Sequence, residues 1–133
     1  MKVYDFNGQE YNFPPSGYMP GGDDTRPRSD LHIRARNLLR SMYPTRRILE
    51  EVPLPGIRVF ADFYVPHSCA VIEVHGEQHY KYTPFFHGSR FGYATSKAND
   101  KLKQEWCEIN DISYIVLPFD KDENDWRRII DSD

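Results

Sequence analysis

The sequence predicts an α/β fold: a small mixed four-stranded sheet flanked by helices, with a β-hairpin in front of it. Three observations carry that expectation. Short strand-like runs cluster between residues 47 and 75; segments with helical spacing at 31–42 and 97–109 bracket them; and the continuous apolar run Tyr114-Ile115-Val116-Leu117 follows the second helix, as a buried strand does. At 133 residues and 39% apolar, the chain can build one compact core but not two. The organisation expected is an N-terminal hairpin with a Pro/Gly-rich arm over 1–28 and a single domain over 29–133.

Residues 1–13 alternate apolar and polar side chains around Asn7-Gly8, the strongest short hairpin signal. Pro14-Pro15-Ser16-Gly17 and Pro20-Gly21-Gly22-Asp23-Asp24 then forbid a regular element, which makes this stretch a linker or a surface arm. Ser29 or Asp30 is placed to cap a helix over 31–42, whose apolar stripe is Leu31, Ala35, Leu38, Leu39 and Met42. Its polar face carries His32, Arg34, Arg36 and Arg40, and Pro44 ends it. A strand over 47–52, a turn at Pro53-Leu54-Pro55-Gly56, and strands over 57–65 and 69–75 follow, giving three antiparallel neighbours. Residues 80–96 set seven aromatics among Lys81, Arg90 and two glycines, and they read as a long loop. Tyr82, Phe85 and Phe86 there suit stacking on unpaired bases, or packing of the loop onto the core. A helix over 97–109 with Ala98, Leu102, Trp106 and Ile109 on one side, a strand over 113–117 and a last helix over 123–131 complete the order.

The chemistry concentrates on the second and third of the antiparallel strands. Asp62 opens one and Glu73 closes the next, 11 positions apart, joined through the polar turn Pro66-His67-Ser68. A hairpin of that span brings the two carboxylates together. Facing acids repel unless a cation lies between them, and oxygen ligands favour a hard divalent ion. His75 and His79 follow on the same edge.

Net charge is −3, yet its distribution is uneven: residues 26–47 carry seven arginines against one acid, whereas 120–133 are acidic. A basic face on an acidic protein fits a polyanion partner, or an ordinary solvated helix. Arg34, Arg36, Arg40, Lys81, Arg90, Lys97 and Lys103 are the candidate nucleic-acid contacts, together with the three loop aromatics. Cys69 and Cys107 lack CxxC spacing, so they read as reduced thiols rather than zinc ligands. Neither a signal peptide nor a membrane span is legible, and the expectation is a soluble cytoplasmic protein without a membrane partner.

Asp62 followed by Glu73-Val74-His75 on the next strand, after a helix and before a helix-strand unit, resembles the PD-(D/E)xK nuclease core, with His75 where most members carry lysine. More narrowly, Ala61-Asp62-Phe63-Tyr64-Val65 through Cys69-Ala70-Val71-Ile72-Glu73-Val74-His75-Gly76 resembles the very-short-patch mismatch repair endonucleases and the EDxHD homing nucleases. The likeness covers residues 29–119. It implies a restriction-endonuclease-like core and a Mg²⁺- or Mn²⁺-dependent endonuclease that nicks DNA or cuts it structure-selectively. RNA is not excluded as substrate, and a homodimer is compatible with the pattern.

By the same resemblance Asp62 ligates the metal, with Glu73 or the Val74 carbonyl completing the site. His75 serves as general base or electrostatic support, His79 is the second histidine, and Asp100 orients a histidine. The relatives present a glutamate from the first helix, and His32 stands at that place here. Their structural zinc has no Cys and His cluster to hold it in this chain, so no zinc is expected. The rival expectation is a non-cleaving module on the same fold that binds nucleic acid or protein.

Overall fold

The computed structural model describes residues 1–15, 29–77, 80 and 90–132. The chain begins with β1 (Lys2–Tyr4) and β2 (Glu10–Asn12), an antiparallel hairpin pairing Val3 with Tyr11. Gly8 turns it at φ +83°, and the Asp5 carboxylate accepts from the amides of Asn7 and Gln9, both at 2.9 Å. Val3 and Phe13 are fully buried in the main core, so the hairpin packs against the domain.

Helix α1 (Asp30–Met42) is capped by Ser29, whose hydroxyl accepts from the His32 amide. Then come β3 (Leu49–Leu54), β4 (Val59–Val65), a 3-10 turn at Pro66–Ser68, and β5 (Ala70–His75). Helix α2 (Arg90–Ile109), β6 (Ser113–Pro118) and α3 (Glu123–Asp131) complete the order. The sheet runs β3-β4-β5-β6, antiparallel except for β5 and β6. That parallel pair needs a crossover, which α2 provides.

Apolar side chains divide between the two faces of the sheet. One core joins Leu49, Val52, Ala61, Tyr64 and Val71 to Trp106 and Cys107 of α2; the other joins Phe63, Val65, Ala70 and Ile72 to α1 and to Trp126 and Ile130 of α3. The architecture is therefore α1 and α3, sheet, then α2 with the hairpin. Several boundaries differ from the sequence expectation. β3 extends through Pro53 and Leu54, because as an edge strand it tolerates a residue without a ladder N–H. β4 starts at Val59, since Arg58 (φ +56°) and Gly56 (φ +90°) belong to the turn. Residues 90–96 are helical rather than loop, as α2 begins seven residues before its clearest apolar spacing. Among the described residues no helix is long and apolar enough to cross a membrane.

Candidate metal centre

Alternation along β5 sends Glu73 and His75 to the α2 side, the side of Val71, while Ile72 faces α1. On α2, Asp100, Lys103 and Cys107 recur at helical spacing, so the strand and the helix bring their polar residues to one line. One ligand atom each from Glu73, His75 and Asp100 lies within 4.8 Å of the others. His75 Nε2 stands 3.9 Å from Asp100 Oδ1. This group sits at the carboxyl end of the parallel pair β5 and β6, where open α/β sheets place their ligands.

Glu73 is the centre of the arrangement and is only 1% exposed. Its Oε1 meets the Lys103 ammonium at 2.6 Å, and its Oε2 accepts from the Asp62 amide at 2.6 Å. In return, Asp62 Oδ2 accepts from the Val74 amide at 2.9 Å, so each carboxylate is anchored on the backbone of the other strand. Burial, and then the charge of Asp62, push the Glu73 carboxyl up to about 7, and the attraction of Lys103 offsets only part of this. Among the described residues, three acids, Asp62, Glu73 and Asp100, thus share a half-closed site with one ammonium. The Tyr114 hydroxyl is buried beside them with no hydrogen-bond partner among the described residues, and burial together with the Glu73 charge raises its pKa. At the mouth, Tyr80 is 48% exposed and meets the His75 ring at 6.2 Å and Phe119 at 5.9 Å. Lys97 Nζ lies 5.5 Å from the centre of the Tyr80 ring.

Glu73, His75 and Asp100 therefore come together as anticipated, and Asp62 is their cross-strand neighbour. Asp62 turns its Oδ2 to the Val74 amide and lies beside the group Glu73, His75 and Asp100, whose ligand atoms are near enough to share one ion; the expected metal set of Asp62, Glu73 and Val74 has Glu73 in common with that group. His32 belongs elsewhere. It is buried on the α1 side, stacked on Phe63 with ring centres 4.5 Å apart, and its Nε2 is 2.6 Å from Glu50 Oε1. His79, Lys81, Tyr82, Phe85 and Phe86 lie outside the described residues, as does the Arg90 side chain.

Three of the expected nucleic-acid contacts are committed to internal partners. Arg36 forks onto Glu50, Lys103 is held by Glu73, and Arg34 donates to the Lys121 carbonyl and lies 4.0 Å over the Trp126 ring. Arg40 and Lys97 remain exposed. Sequence reasoning assigned Lys103 to nucleic acid and not to Glu73, although its position three residues after Asp100 put both on one helix face. It also left Tyr80 unassigned, and no local spacing marks Tyr114.

No family model matches the chain, and no solved structure matches it. The chain is similar to the uncharacterized protein 307L of Invertebrate iridescent virus 6, with 33% identity over 58 residues, 44% of this chain and 29% of that protein. It is also similar to the uncharacterized protein 033L of Invertebrate iridescent virus 3, with 26% identity over 102 residues, 74% of this chain and 53% of that protein. The chain thus spans 29% and 53% of these two curated relatives.

Proposed function

We propose that the chain is a divalent-cation-dependent nuclease of the PD-(D/E)xK type that hydrolyses phosphodiester bonds in DNA. The observation that carries this reading is the convergence of Glu73, His75 and Asp100 on one point, beside Lys103 and Asp62. Two carboxylates and an imidazole suit Mg²⁺ or, because of the nitrogen, still better Mn²⁺. The buried surplus of negative charge that raises Glu73 is the condition a cation relieves. Such an ion, when bound, supplies charge neutralisation at the phosphoryl oxygens and an acidified water.

The chain's own groups supply the rest. Lys103 favours the ionised form of Glu73 against burial and the Asp62 charge, and it fixes one of its oxygens. Asp62 holds the β4 backbone against Glu73, which sets the carboxylate's orientation. Tyr80 and Lys97 stand where a nucleotide next to the scissile phosphate would pass, one with a stacking face and one with a charge. One such site per chain favours nicking over a double-strand cut.

A specific observation favours a second reading. The Glu73–Lys103 pair at 2.6 Å already neutralises the most buried acid, as a non-cleaving binding module on this fold would need. Nicking of supercoiled plasmid with Mg²⁺ or Mn²⁺, with a structured RNA in parallel, separates the two. The nuclease reading expects nicking that is lost in His75→Ala and Asp100→Asn while circular dichroism stays unchanged. Wild-type protein that is folded but inert with both ions on both substrates supports the binding module.

A further inference from the structure

A second chemical feature lies on the opposite face of the sheet from the metal centre. The last turn of α1, the connection that follows it and the start of β3 enclose a half-open cavity of about 510 Å³, with Arg40, Tyr43, Thr45, Arg46, Arg47 and Glu50 in its wall. Glu50 and Ile48 tie it to the α1 side, whereas Glu73 and His75 face α2.

The arginines of this region divide into two kinds. Arg34 and Arg36 are consumed by internal partners. Arg40, Arg46 and Arg47 are exposed, and none of their guanidiniums makes a hydrogen bond or ion pair with another described residue. No acid occurs from Leu31 through Ile48, and the one acid in the wall, Glu50, already accepts from Arg36 and His32. Three guanidiniums with no counter-charge among the described residues therefore border one cavity on a chain whose net charge is −3. The partial negative charge at the end of α1 helps Arg40. It cannot serve all three, and like charges gathered at a concave surface favour an anion there. Guanidinium forks match phosphate oxygens in geometry. The Tyr43 ring adds a flat wall, held edge-on by His67 at 4.6 Å. The volume falls within the range of small-molecule sites and admits one nucleotide.

We infer that this cavity binds a phosphate ester of nucleotide size, its phosphate on Arg40, Arg46 and Arg47 and its flat ring against Tyr43. The ligand is either a free nucleotide or one nucleotide of a nucleic-acid strand. The site is independent of the nuclease reading, since it requires neither the metal centre nor cleavage.

The test is made in EDTA, so that cutting cannot intervene. Probes are AMP and ATP by calorimetry, and a 3′-labelled single-stranded oligonucleotide with or without a 5′-phosphate by fluorescence anisotropy. The double variant Arg46→Ala/Arg47→Ala should weaken binding about tenfold or more, and Arg46→Lys/Arg47→Lys should recover part of it. On the oligonucleotide the log–log salt slope should fall by up to about 0.7, for the one phosphate the cavity holds. AMP or ATP displacing the oligonucleotide identifies a free nucleotide as the ligand; binding of the oligonucleotide alone identifies a strand. The inference is overturned if wild-type protein binds none of these probes, or if the double alanine variant binds them unchanged. Both positions are exposed, so the variant tests binding rather than folding.

Discussion

Two buried glutamates on opposite faces of the same sheet meet opposite fates. Glu50, 4% exposed, points toward α1 and receives a fork from Arg36 and a contact from His32. Burial alone would raise its pKa, but those hydrogen bonds and charges outweigh burial, and its carboxyl lies below the ordinary value. Glu73, 1% exposed, points toward α2, where burial and then the charge of Asp62 outweigh the pull of Lys103 and raise its carboxyl to about 7. The residue type is the same and burial is alike. What differs is the ratio of cations to acids around each, and only the site with surplus acid has a use for a metal ion.

The largest expected effects separate the two sites by activity. Under the nuclease proposal, His75→Ala and Asp100→Asn lower the nicking rate by about 10²–10⁴-fold without altering the unfolding midpoint greatly. His32→Phe keeps the ring stacked on Phe63 and leaves the nicking rate within about twofold. A loss for His32→Phe as large as that for His75→Ala would return His32 to the active site and erase the distinction. Second in size is stability. Glu50→Ala leaves Arg36 and His32 buried without their acid and should cost about 3–5 kcal/mol in urea unfolding. A cost under about 1 kcal/mol would mean that the pair behaves like a surface bridge.

The pH dependence of the metal-free protein sharpens the comparison further. With a folded value near 7 against an ordinary 4.5, Glu73 holds a proton that the unfolded chain has released, so its contribution is complete below about 4.5 and lost as pH rises to 7. Glu50 has the opposite sign. Its contribution is present above the ordinary carboxylate value and lost as pH falls below it. Thermal scans from pH 5 to 8 should show a decline that Glu73→Gln removes; a profile unchanged by that substitution would contradict the electrostatic account. The smallest effect is the loss of the His32 hydrogen bond in His32→Phe, about 1–2 kcal/mol.

Much of this was legible in the sequence where local chemistry decides the structure. Asn7-Gly8 fixed the hairpin, Ser29 the start of α1, and the 11-residue spacing of Asp62 and Glu73 their cross-strand meeting. Legibility failed where a side chain's partner is remote. His32 lies at a helix position that reads as polar, yet Glu50, 18 residues on, draws it into the core. That draw depends on Glu51, whose left-handed backbone (φ +50°) lets Glu50 face α1 while Val52 faces the other core. Lys103 and Arg36 resembled surface cations for the same reason: their acids are supplied by strands that only the folded sheet places beside them.

Mn²⁺ titration by electron paramagnetic resonance tests the central claim most directly, because it reads the ion without requiring turnover. One Mn²⁺ should bind per chain, with binding lost in Glu73→Gln and Asp100→Asn and retained in His32→Phe. Wild-type protein that binds no Mn²⁺, or that binds it equally well after both substitutions in the Glu73 group, would contradict that claim.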